Sequence, residues 1–152
     1  MAKFIYRMQN ILELKMKLET QAENAFAAAN AELFEEEKRL EALMERQAGY
    51  ETHLEELYAG LINVLKVKET QDAIEIMKLQ IDAQRLLVEQ AQHRVDIARQ
   101  KLQKAIQERK THEKLRENAF EVFLEEEKAE ESKMIDELVS YRFGQGKNSG
   151  DS

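Results

Sequence analysis

Residues 74–105 read IEIMKLQIDAQRLLVEQAQHRVDIARQKLQKA, and their spacing decides the fold. Stepping alternately by three and four from Ile74 lands on Met77, Ile81, Gln84, Val88, Ala91, Val95, Ala98, Leu102 and Ala105, with Gln84 the one polar member. Such steps hold one stripe of a helix, and a 3.5-residue repeat turns that stripe toward a partner helix. The first half of the chain carries the same pattern. Its a positions are Ile5, Leu12, Glu19, Phe26, Leu33, Leu40, Gln47, Leu54 and Leu61. Its d positions are Met8, Lys15, Ala22, Ala29, Glu36, Leu43, Tyr50, Leu57 and Val64. Fourteen of these eighteen are apolar, against 43% hydrophobic residues overall. A helix over residues 3–66 would be roughly 95 Å long at 1.5 Å per residue. Such a rod cannot bury its own stripe.

The rest of the composition agrees. The 152 residues include no Pro, Cys or Trp, and three of the five glycines (Gly144, Gly146, Gly150) fall in the last nine positions. Strong helix formers dominate the first 140 residues, and no alternating run bounded by turn residues predicts a strand. The fold class is all-α, a long antiparallel two-helix coiled-coil hairpin with a disordered C-terminal tail. Helix 1 is expected over about 3–66, a turn over about 67–73, helix 2 over about 74–141 and the tail over 142–152. Asp72 with Glu75 three residues on reads as an N-cap and capping box. Gly60 is the competing break point. Past Ala105 the stripe slips by one residue, so that Phe120, Leu124, Met134, Leu138 and Tyr141 continue it.

Charge predicts a pairing. A fold near residue 71 sets side by side residues whose numbers sum to about 143. Residues 3–17, net +3, then face 119–138, net −6, while 99–116, net +5, face 27–44, net −3. Phe26 would lie near Phe120. Exposed pairs contribute about 0–1 kcal/mol each, so they set register more than stability.

Several functions are excluded at this level. A net charge of −7 makes a poor general phosphate-backbone binder, so no nucleic-acid partner is expected. No apolar run approaches the roughly 20 residues of a spanning helix, and no signal-peptide block opens the chain. Without Cys there is no disulfide or thiolate site. His53, His93 and His112 are far apart, and Glu108 with His112 supplies two ligands where a site needs more. The Glu35–Glu37 and Glu125–Glu127 runs lack the Glu-x-x-His partners of a di-metal bundle. Gly144-Gln-Gly-Lys-Asn-Ser has one residue between its glycines where a phosphate loop has four. No catalytic residue, metal or cofactor is expected, and the chain is not read as an enzyme. Polar seam members (Lys15, Glu19, Glu36, Gln47) and off-seam apolar residues (Tyr58, Ile62, Leu65, Ile76, Leu87, Ile106) point instead to docking on other proteins.

Three segments carry a family resemblance. Phe4-Ile-Tyr-Arg-Met-Gln-Asn-Ile-Leu12, the basic stretch Ala98–Arg116 with Glu108-Arg-Lys and Glu113-Lys-Leu-Arg, and Glu131-Ser-Lys-Met-Ile-Asp-Glu137 resemble, in that order, the FliJ-type flagellar export proteins. The resemblance covers about residues 3–141. It implies an antiparallel coiled coil similar to the central stalk of rotary ATPases, which enters the ring of the flagellar export ATPase and promotes its assembly. It also implies contact with the membrane export gate protein, handling of export chaperones, and a cytoplasmic location peripheral to the membrane at the flagellar base. The ATPase-facing end implied here is Phe4, Tyr6, Arg7 and Leu12 meeting Met134, Asp136, Glu137 and Leu138. The gate-facing patch implied is Leu43, Arg46, Tyr50 and Met77, with Arg46 where the family pattern has an aromatic. The rival readings are a generic coiled coil or a spectrin-like three-helix module broken at Gly49 and Gly60, and a client-holding chaperone.

Overall fold

A stripe repeated every 3.5 residues demands a facing stripe, and the chain supplies it by folding back on itself. In the computed structural model, which describes residues 2–150, with side chains through Gln145, two helices account for nearly all of the chain. Helix α1 spans Gln9–Tyr58 and helix α2 spans Val64–Gly150, 50 and 87 residues respectively. Residues 2–6 have no regular secondary structure and lead into a turn that opens α1, where the Gln9 amide donates to the Tyr6 carbonyl at 3.2 Å.

The turn is therefore at 59–63, before the 67–73 expected from Asp72 and Glu75. Asn63 is the reason. Its Oδ1 accepts from the amides of Leu65 (3.1 Å) and Lys66 (3.3 Å), satisfying donors that a helix start leaves open. Asn is among the best N-cap residues, and Gly60, a weak helix former, stands just before it. Asp72 lies well inside α2. Helix α1 runs unbroken through Gly49, which the three-helix reading needed as a break.

The chain forms two compact units. In the unit Glu19–Ala105 the core is Ile74, Met77, Ile81, Ala91, Val95 and Ala98 on α2, all buried. Facing them, the half-buried positions of α1 are 22, 26, 29, 33, 36, 40, 43, 47, 50, 54 and 57, the seam read from the heptads, with every residue between them exposed. The polar exceptions of the two seams meet. Gln84 Nε2 donates to the Glu36 backbone carbonyl at 2.9 Å and to its carboxylate. Arg94 pairs with Glu32 at 3.3 Å, and the Arg99 guanidinium lies 5.8 Å from the centre of the Phe26 ring.

The other unit comprises residues up to Leu18 together with Ile106 onward. Leu12 is buried, Lys15 pairs with Glu108 at 3.1 Å, and Arg116 Nε donates to Gln9 Oε1 at 3.0 Å. Phe4, not Phe26, is the partner of Phe120.

Within each unit the facing residues have numbers summing to about 124 rather than 143, because the turn is earlier. The charge pairing expected from the sequence is consequently not used. Residues 3–17 face roughly 107–121, where four bases (Arg109, Lys110, Lys114, Arg116) and four acids (Glu108, Glu113, Glu117, Glu121) balance. The register is set by the apolar seams and the Gln84–Glu36 contact. After Ala105 the half-buried positions fall in both registers, Arg109, His112, Ala119 and Phe123 in the original one and Ile106, Glu113 and Glu127 in the one displaced by a residue, while Phe120 and Leu124 are 41% and 46% exposed. The backbone of α2 runs to Gly150, and Tyr141–Gln145, where the expected tail begins, are all exposed; Asp151 and Ser152 lie outside the described residues.

Candidate interaction surfaces

Helix α2 extends well past the residues that face α1, and the difference creates an end with unsatisfied apolar surface. Every residue from Lys128 to Gln145 is exposed. Along this overhang Met134, Ile135, Leu138, Val139 and Tyr141 recur at helical spacing and share one side of the helix, each more than half exposed. Acids Glu130, Glu131, Asp136 and Glu137 intersperse with them. An apolar stripe of this length on a solvated helix marks a surface meant to be covered.

The N-terminal arm lies just before the overhang. Phe4 contacts Phe120 edge-on at 5.1 Å between ring centres and Phe123 at 5.4 Å, and the Arg116 guanidinium covers its ring at 5.6 Å. These aromatic and cation–π contacts hold a segment that lies outside the helix. Ile5 and Arg7 point outward, Tyr6 is half-buried, and its hydroxyl is buried with no partner. A groove of about 460 Å³ runs between the arm and Ala119, Val122, Phe123 and Glu126.

The expected ATPase-facing set thus divides. Phe4 and Tyr6 belong to the arm's own packing, and Leu12, 4% exposed, is core. Arg7, Met134, Asp136, Glu137 and Leu138 are exposed. The arm does not meet Met134–Leu138 through Phe4, because the Phe123 it packs on lies three helical turns earlier, roughly 16 Å along the axis. Among the described residues of the arm, only Ala2 reaches a groove that Met134 lines, with Glu127, Glu130 and Glu131.

The expected gate-facing set divides too. Met77 is 4% exposed and sits in the core, out of reach of a partner unless the helices part. Leu43 and Tyr50 are half-buried seam residues, and Arg46 alone is exposed. The exposed surface there is a second stripe on the outer side of α2, Ile76, Leu79, Ala83 and Leu86, with Leu87 beside it. Its steps of three and four repeat the seam's own spacing, a signal that counting a second register in the sequence would have found.

Among the described residues no group of three or more His, Cys, Asp or Glu is placed to hold a metal ion, and no helix is long and apolar enough to cross a membrane. His112 is half-buried, and its Nδ1 has no partner.

No curated protein and no solved structure matches the chain. A family model described as the flagellar FliJ protein matches residues 4–148, which takes in both helices, the arm and the overhang. A two-helix hairpin with an unpartnered end, matched over almost its whole length, therefore belongs to the FliJ family of flagellar export proteins.

Proposed function

We propose that this chain is a non-enzymatic adaptor of the flagellar export apparatus that docks its open end into the export ATPase ring, as a rotary-ATPase stalk does, and promotes ring assembly. The overhang carries this reading. A helix whose Met134, Ile135, Leu138, Val139 and Tyr141 are all exposed has a stripe ready for a ring lumen, and Asp136 and Glu137 supply charge for basic side chains there. Arg7 and Ile5 on the arm add to the same end, while Phe4, Tyr6 and Leu12 hold the arm and helix that present them.

The same reading gives α2 a second role at the membrane export gate protein. The outer stripe Ile76, Leu79, Ala83 and Leu86 is the surface proposed for that contact, with Arg46 the one exposed member of the patch first expected. Handling of export chaperones and a place peripheral to the cytoplasmic face of the membrane complete the role. The test is a titration of the purified protein into the flagellar ATPase of the same organism, following hexamer formation and ATP hydrolysis. Stimulation saturating near one copy per six ATPase subunits is expected from a stalk; no effect at micromolar excess returns the chain to a generic coiled coil.

A further inference from the structure

The turn between the helices has its Gly60 and Asn63, but the residues around them are wrong for a solvated loop. Turns are usually made of Gly, Asn, Asp, Ser and Pro, whereas residues 58–65 read YAGLINVL. Leu61 is 103% exposed, and Tyr58, Ile62, Val64 and Leu65 are each more than half exposed. Runs of exposed apolar side chains are errors in a soluble surface unless they serve a function. The apex is also held in shape. Asn63 spends its side chain on the amides of Leu65 and Lys66, and the Tyr58 hydroxyl accepts from Gln71 at 3.3 Å.

The order of side chains behind the apex identifies the occupant. At about 1.5 Å per residue, Lys66 stands roughly 3 Å behind Val64 and is the first charge met. Lys68 follows, at about the level of Glu55, Glu56 and Glu69, with Asp72 deeper still. An apolar cap, then a lysine, then mixed charge is the layering of an interfacial segment, with acyl chains at the cap and phosphates at the lysine. A second copy fits poorly. Two convex ends of five side chains each cannot supply the about 800 Å² per partner of a stable protein pair.

We propose that the hairpin apex, Leu61, Ile62, Val64 and Leu65 backed by Lys66, inserts into the headgroup region of a lipid bilayer. This deepens the membrane-side part of the adaptor reading and rests on it only for location. The test is flotation of the full-length protein with vesicles of phosphatidylethanolamine and phosphatidylglycerol at 3:1, with ATPase stimulation measured in parallel. Wild-type protein is expected to float. Leu61→Asp/Ile62→Asp should lose at least tenfold in partitioning, and Lys66→Gln about fivefold, with helical circular dichroism unchanged because all three side chains are exposed and none belongs to the core. Wild-type protein left at the bottom of the gradient, or a double variant that floats equally well, overturns the proposal. So does concentration-dependent dimerisation that Leu61→Asp/Ile62→Asp abolishes. Flotation without any ATPase stimulation leaves the lipid contact standing and removes the adaptor reading instead.

Discussion

Each α1 side chain from Leu12 to Leu57 is inward or outward as its place in the heptad dictates. The four register members that fail, Ile5, Met8, Leu61 and Val64, lie where the chain is no longer paired helix. Periodicity reports a face only while a helix persists and has something to face. The same logic separates Met77 from its neighbour Leu79, 4% and 71% exposed. Met77→Ala should cost about 2–5 kcal/mol in urea unfolding, and Leu79→Ala should stay within about 0.5 kcal/mol. Equal losses would mean that the outer stripe is core. Gln84 and Glu36 form a part-buried polar pair. Gln84→Ala should cost about 1–3 kcal/mol by removing the donor to Glu36 Oε2, while Arg39 keeps its bond to Oε1. A stability unchanged within error would show that this contact does not help set the register.

At the level of elements, the existence and type of both helices were legible, and their junction only as a choice between Gly60, where it falls, and residues 67–73. Asp72 with Glu75 has the better capping pattern on paper, but a capping box needs a helix that begins there, and the seam already continues back through Thr70 and Val67. Asn63 gave only one weak signal, a good cap residue after a glycine. Its place is testable. Asn63→Ala should lose about 1 kcal/mol of stability, while Asp72→Ala should change it by less than about 0.5 kcal/mol. The reverse order would move the helix start back to the second site. Misplacing the turn by several residues shifted every predicted partner, which is why the blocks of opposite charge never came to face each other.

For the molecule as a whole, the earlier turn leaves α2 with more helix than α1 can cover, and the unpaired remainder becomes the surface on which the proposed role depends. The sequence alone suggested an open end in which both strands of the hairpin took part. Instead, Leu12 is buried and Leu138 is exposed, so substitutions there should separate. Leu12→Asp should lower the melting temperature and weaken ATPase binding together, since it places a charge in the core. Leu138→Asp should leave the melting temperature unchanged and act on binding alone.

The most direct measurement is the ATPase titration run with wild-type protein and with Met134→Asp/Leu138→Asp, each checked for unchanged thermal unfolding. Wild-type protein is predicted to stimulate hydrolysis at about one copy per ring, and the folded double variant to need at least tenfold more protein for the same effect. A double variant that stimulates as well as wild type would contradict the assignment of the α2 overhang as the ATPase-binding end.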